Sequence, residues 1–186
     1  MIKVIAFVIF TISITLITTG CAFSQTVKKL PMLKNPHIVI KKKARTLSIF
    51  DDGKFVKTYK IVLGASPNGD KEIEGDGKTP EGDFRVDRKN EKSSFYLSLG
   101  LNYPNVKDAK RGLREKLITQ AEHDAILQAI ESKQVPPQKT ALGGEIFIHG
   151  GGTEDDWTQG CAALENEEIK EIFDAISIGT TVTIEP

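Results

Sequence analysis

Residues 145–161 read Glu145-Ile-Phe-Ile-His149-Gly-Gly-Gly-Thr-Glu-Asp-Asp-Trp-Thr-Gln-Gly-Cys161, and the rest of the chain is read outward from them. The opening apolar run predicts a central strand that ends at His149, and the three glycines that follow release the chain into a loop. Cys161 lies twelve positions beyond His149, across a loop that can fold back. A thiol attacks as thiolate, and its free pKa of about 8.5 falls when an imidazole stands beside it. A cysteine nucleophile needs such a neighbour, so His149 is the candidate base for Cys161. Gly160 permits backbone angles that let nearby amides converge on one spot, as an oxyanion hole requires. A Cys and a His at this separation also arise by chance, and the pair alone defines no site.

Beyond the cysteine, Asn166 can cap a helix whose first turn carries Glu167 and Glu168. Ile169, Ile172, Phe173 and Ile176 follow at the i, i+3, i+4, i+7 spacing of one buried face. Gly179 stops the helix, and 180–184 reads as a last strand. The acidic run Glu165, Glu167, Glu168 and Glu171 fits the solvated face of that helix better than a metal site. Before the histidine, 37–40, 45–50 and 55–63 read as strands rich in β-branched and aromatic residues, with Asp51-Asp-Gly-Lys54 as a hairpin turn. Residues 65–83 form a long Gly, Pro and Asp-rich connection expected to be mostly solvated. Strands resume at 84–87 and 95–99. Residues 106–134 read as a helical insertion in which Thr119-Gln-Ala-Glu122 is a capping box and Ala121, Ala125, Ala129 and Ile130 lie along one side. It is either a lid or decoration.

The N-terminus is set apart. Met1-Ile-Lys3 followed by an apolar run from Val4 to Ile17 has the layout of a secretory signal. It ends in Thr-Gly-Cys21, and a small residue directly before a cysteine resembles the lipobox of bacterial lipoproteins, with Thr18 standing where Leu is commonest. The alternatives are a plain signal cut near Ala22 to Ser24 and a retained helix. The expected organisation is a signal over 1–20, a lipidated Cys21 with a polar tether over 21–36, and one domain over 37–186. If Cys21 carries lipid, Cys161 has no partner in the chain and remains a free thiol in an oxidising compartment. The chain holds 25 basic and 25 acidic residues. No basic stripe marks it as a nucleic-acid binder, and no Cys/His spacing suggests zinc.

The string His149-Gly-Gly-Gly, then Asp156-Trp-Thr-Gln-Gly-Cys-Ala-Ala-Leu164, resembles the signature of the YkuD-type L,D-transpeptidase catalytic domain, in which an upstream His precedes a Ser/Thr-x-Gly-Cys segment. Gly64-Ala-Ser-Pro-Asn-Gly, Gly75-Asp-Gly-Lys-Thr-Pro-Glu-Gly82, Tyr103-Pro-Asn105 and the terminal stretch from Gly179 are similar to further landmarks of that domain. Many members carry a second His directly before the Gly-Cys pair. Here Gln159 stands there, as in the subgroup whose motif reads Asp-Trp-Thr-x-Gly-Cys.

The resemblance implies a mainly β fold, a YkuD-like sandwich of mixed sheets with a helical insertion and one helix in the C-terminal region. It implies Cys161 as nucleophile, His149 as base and the amides of Gly160 and Cys161 as oxyanion donors, with no cofactor and no metal. The substrate would be a peptidoglycan stem peptide, and carbapenems would acylate the cysteine. An amine acceptor would give a 3→3 crosslink or an attached protein, whereas water would make an L,D-carboxypeptidase or amidase. A non-catalytic wall tether is the rival from another class. Trp157 reads as either a core anchor or a wall of the groove. Thr158 and Asp156 orient the loop, bind substrate or make a turn, and Tyr103 joins the substrate-lining candidates by resemblance alone. His37 and His123 read as surface or packing residues. The expected location is the periplasmic side of a bacterial membrane, as a lipoprotein, and the oligomeric state is open.

Overall fold

The structure, a computed structural model, describes residues 29–186. The element order is β1 (Pro36–Lys41), β2 (Thr46–Asp51), β3 (Lys54–Lys60), β4 (Gly82–Ser93), β5 (Tyr96–Leu101), α1 (Val106–Arg114), α2 (Gln120–Glu131), β6 (Phe147–His149), β7 (Ala162–Ala163), α3 (Asn166–Ala175) and β8 (Thr181–Glu185). The turn between β2 and β3 forms where the sequence marks it. Asp52 and Gly53 both take positive φ, 48° and 75°, the pairing that a tight two-residue hairpin demands.

The strands make one mixed sheet of eight in the order β3-β2-β1-β8-β4-β5-β6-β7. Strands β1 and β8 pair in parallel, as do β6 and β7, and the remaining neighbours are antiparallel. Strand β4 folds the sheet over. Its first residues pair with β8, its later ones pair with β5, and two register shifts bend it along the way. The far edges then meet: Val62, just beyond β3, exchanges backbone hydrogen bonds of 3.0 and 2.9 Å with Ala163 of β7.

Ile38, Ile40, Leu47 and Ile49 from one half and Leu99, Leu101 and Ile148 from the other close a single core, completed by Ile169, Ile172 and Phe173 of α3. Burying each of these side chains contributes about 1.5–3 kcal/mol, so this shared core holds the folded sheet together. The mainly β expectation holds, and the helical spacing from Ile169 to Ile176 marks the buried face of α3 correctly.

Several local expectations differ from what forms. The insertion is two helices packed on a small core of Ala109, Ile118, Ile126 and Leu142. Thr119 caps α2 as read, but Ala121 and Ala125 are exposed, because the bulkier Ile126 is what fills that core. Glu165, not Asn166, takes the N-cap position of α3. The Asn166 carboxamide accepts instead from Gly151 N–H at 3.0 Å. The acidic run is only partly solvated, since the Glu171 carboxylate accepts from Lys57 Nζ at 2.6 Å and Tyr59 Oη at 3.0 Å.

The 65–83 connection is mostly exposed or half-buried, as expected, but it is pinned at a few points. Lys42 and Lys71, each 2% exposed, anchor it from below. Lys42 Nζ donates to the carbonyls of Gly69 and Thr79 and to Glu81, and Lys71 Nζ donates to Ile73 O and to Asp76. Burying an ammonium is costly unless it is paired and hydrogen-bonded, and each of these lysines has such a set. At the N-terminal side Leu30 packs into the core, and the Lys34 and Asn35 amides donate to Asp51 at 2.9 and 2.7 Å. The folded body therefore reaches back into the stretch expected to be tether. The expected signal over 1–20, Cys21 and the expected tether up to residue 28 lie outside the described residues. Among the described residues, no helix is long and apolar enough to cross a membrane.

Candidate active site

Strand pairing brings the two reactive side chains to one face. Strands β6 and β7 run parallel with Ile148 opposite Ala162 and His149 opposite Ala163. One step back along that register sets Cys161 beside Phe147, whose N–H donates to the Cys161 sulfur at 3.4 Å. Residues two apart on a strand share a face, so Cys161 lies on the face that carries Phe147 and His149. The thiol in turn donates to the Glu145 carbonyl at 3.5 Å. Cys161 and His149 both line a groove of about 560 Å³, walled by Ser93, Ser94 and Phe95 of the β4–β5 hairpin and by Trp157.

The turn that presents the thiol is clamped by Thr158. Its hydroxyl donates to the Cys161 carbonyl at 2.9 Å and accepts from Gly160 N–H at 3.1 Å. Its backbone bridges to Leu63 and Ala65. Upstream, the Asp156 carboxylate accepts from Arg45 Nη2 at 2.6 Å and from Leu63 N–H at 2.8 Å. Burial works to raise the Asp156 pKa, but Arg45 and the Leu63 amide outweigh it and hold the carboxyl below the usual range. Gly160 sits at φ +127°, and a Cβ there would lie 2.7 Å from the Lys78 carbonyl. Gly64 backs the same spot, where a Cβ would come within 2.0 Å of Gly77 O.

His149 is 2% exposed. Its Nδ1 lies 2.6 Å from the Gly150 carbonyl, which can only accept, so Nδ1 carries the proton and Nε2 is the basic nitrogen. The ring of Phe95 stacks on the imidazole at 4.6 Å between centroids and 25° between planes. Trp157 meets it nearly edge-on, at 5.5 Å and 63°.

Both reactive groups rest neutral. Burial pushes the Cys161 thiol up to about 11, against the Phe147 N–H that favours the thiolate. Burial also lowers the His149 pKa, against the Gly150 carbonyl that favours the charged ring. Desolvation disfavours either charge and so works against depression of the thiol by the imidazole in the free protein. Alkylation of Cys161 by iodoacetamide should therefore keep accelerating with pH towards about 11. A plateau near neutrality would reveal a preformed ion pair and contradict the neutral resting state.

Of the other sequence candidates, Trp157 is a groove wall, 39% exposed, with its indole N–H on Gly152 O at 3.3 Å. Thr158 is a buried clamp whose polar atoms are engaged inside the turn. That engagement also occupies the Gly160 amide, so the expectation of a free oxyanion donor at Gly160 is corrected. Tyr103 does not reach the groove. It is fully buried against Phe84, and its hydroxyl donates to Leu142 O at 2.9 Å. His37 bonds Thr183 and His123 bonds Asp124, both away from the groove. The insertion helices contribute no residue to its lining, so they form no lid over it. Among the described residues no His, Cys, Asp and Glu cluster could hold a metal ion.

Sequence reasoning missed Phe95, the Arg45–Asp156 pair and Glu145. Phe95 read only as a strand residue. Nothing in the local pattern marks a hairpin tip that reaches a histidine 54 positions away.

A free thiol just before β7 and a buried imidazole at the end of β6 thus line one groove. The chain belongs to the L,D-transpeptidase catalytic domain family, whose model matches residues 35–184. It is 26% identical over 160 residues to the "Putative L,D-transpeptidase YafK" of Escherichia coli (strain K12), covering 83% of this chain and 52% of that one. It is 25% identical over 159 residues to the "Putative L,D-transpeptidase YqjB" of Bacillus subtilis (strain 168), covering 83% and 73%. Among solved structures, the helical cell shape determining protein Pgp2 (K307A mutant) of Campylobacter jejuni superposes with a TM-score of 0.54 at 25% identity, over 84% of this chain and 49% of that one. Bd1075 of Bdellovibrio bacteriovorus shares the fold at TM-score 0.54 and 20% identity, over 84% and 51%. The chain thus spans about half the length of YafK and of Pgp2.

Proposed function

We propose that the protein is a peptidoglycan-modifying cysteine acyltransferase acting on stem peptides in the cell envelope, of the subgroup with an Asp-Trp-Thr-x-Gly-Cys motif. The observation that carries this reading is the convergence of Cys161 and His149 on one groove, with Nδ1 of the imidazole tied to Gly150 O. Membership in the L,D-transpeptidase domain family supplies the substrate class. The names of YafK and YqjB agree with it.

A neutral thiol beside a neutral base suits proton transfer during attack rather than before it. The Cys161 sulfur adds to the carbonyl of the L-configured centre that precedes a terminal D-residue. His149 Nε2 takes the thiol proton and then delivers it to the departing amine of D-alanine. A thioester remains on Cys161. With the Gly160 amide engaged by Thr158, the Cys161 N–H is the better-placed donor to the developing oxyanion.

An amine from a neighbouring stem would resolve the thioester to a 3→3 crosslink or attach a protein, and water would yield a trimmed or released product. The secretory layout at the N-terminus supports export, and the Thr-Gly-Cys21 sequence supports lipidation at Cys21, which would anchor the protein on the periplasmic side of a membrane. A triacylated terminus meets the need for more than one chain. Incubation with defined tetrapeptide muropeptides, followed by mass spectrometry, should yield crosslinked, trimmed or released species. A reaction mixture that returns only starting material would reject the proposal in favour of a non-catalytic tether.

A further inference from the structure

We propose that Phe95, at the tip of the β4–β5 hairpin, is a positioning residue for the base: its ring covers one face of the His149 imidazole and fixes the plane of that ring in the groove it shares with Cys161. This inference rests on the acyl-transfer reading of the groove. The hairpin is shaped for the contact. Tyr96, next in the chain, holds a φ of 74°, a left-handed conformation that a bulky aromatic residue adopts only when its surroundings impose it. The Phe95 N–H is tied to Ser93 Oγ at 3.1 Å and its carbonyl to Leu97 N–H at 3.1 Å. The strained turn therefore aims the Phe95 ring instead of leaving it free on the surface.

The opposite wall is cut away to receive it. A Cβ on Gly150 would come within 2.9 Å of the Phe95 carbonyl, and a Cβ on Gly151 within 3.1 Å of the Trp157 ring. The glycine run after His149 thus lets two aromatic rings close on the imidazole, one on its face and one at its edge. The rings also touch each other at 5.2 Å between centroids. With Nδ1 held by Gly150 O, the ring is fixed in rotation and in tilt. Phe95 is nonetheless 44% exposed, more than core packing alone requires.

The ionisable groups that share the groove with this ring are Cys161 just before β7, Glu145 ahead of β6 and Lys92 on the hairpin. Beyond the aromatic pair stand Glu154, Asp155 and Glu165. Burial, not charge, is what lowers the imidazole's proton affinity. Removing the covering ring should admit water and return that affinity towards the ordinary histidine value.

Phe95→Ala and Phe95→Tyr, each confirmed folded by circular dichroism, test the role. In Phe95→Ala, kcat on the tetrapeptide donor should fall about tenfold or more with KM within about twofold, as expected when a catalytic group loses its alignment. The acid limb of kcat/KM should move to higher pH, and the His149 ring, followed by NMR, should titrate at higher pH than in the wild type. Phe95→Tyr, which keeps the ring, should restore all three. An unchanged His149 titration in Phe95→Ala, or a loss carried by KM alone, would overturn the proposal. The NMR titration needs no turnover. A protein inactive on muropeptides would refute the acyl-transfer reading, while the imidazole titration would still decide whether Phe95 shields the ring.

Discussion

Cys161→Ala is expected to leave no crosslinked, trimmed or released product from tetrapeptide muropeptides, a loss of at least about 10⁴-fold in kcat. The size of the effect follows from the site. In the proposed mechanism the Cys161 thiol, which lines the groove, is the group that forms the covalent intermediate. The variant should fold normally. Among the described residues its Sγ makes two long hydrogen bonds, 3.4 Å to Phe147 N and 3.5 Å to Glu145 O, so little hydrogen bonding is lost with the sulfur. A folded Cys161→Ala protein that still forms product would place the chemistry elsewhere, and comparing the product lists of variant and wild type by mass spectrometry checks this directly.

The second large effect is structural and reaches the chemistry through the backbone. Gly160→Ala combines a conformation at φ +127° that L-residues rarely adopt with a Cβ forced to 2.7 Å from the Lys78 carbonyl. Backbone strain and overpacking together should cost about 3–5 kcal/mol. A change of that size lowers Tm by roughly 10 °C in a domain of this length. Relief of the clash must move either the Lys78 segment or the turn itself, and the turn carries Cys161, so activity should fall further than stability alone explains. Gly152→Ala is the internal control. Its φ is +100°, but nothing lies within 4 Å of the added Cβ, so it should lose only the conformational share, about 1–2 kcal/mol. Equal melting temperatures for the two variants would show that the close approach to Lys78 does not matter.

Much of the framework was legible because it depends on local pattern. The β-branched runs of β1 to β3, the Asp-Gly turn between β2 and β3, the Thr119 capping box and the buried face of α3 each follow from residues within one element. Cys161 and His149 were legible too, through a string whose loop length allows a return to the neighbouring strand. Long-range geometry was what escaped. Thr158 reads as a loop-orienting residue, a substrate contact or a turn residue, and only its hydroxyl bridging the Gly160 amide and the Cys161 carbonyl selects the first. Tyr103 reads as a groove residue by resemblance, yet the approach of Leu142 from the insertion core buries its hydroxyl. The resting charge state was also hidden, since adjacency of imidazole and thiol in sequence says nothing about how far each is removed from water. The 65–83 stretch is mostly solvated, as its composition suggests, but its anchoring by the buried ends of Lys42 and Lys71 has no local signal in the sequence.

The central claim is that the sulfur of Cys161 becomes covalently bonded to the acyl part of a stem peptide. Intact-mass spectrometry of the protein, acid-quenched shortly after mixing with a tetrapeptide donor and no acceptor, tests it most directly. One adduct equal to the donor less D-alanine, mapped to the peptide that contains residue 161 and absent from Cys161→Ala, is the predicted result. An unmodified protein alongside released D-alanine, or an adduct on any other residue, would contradict the assignment.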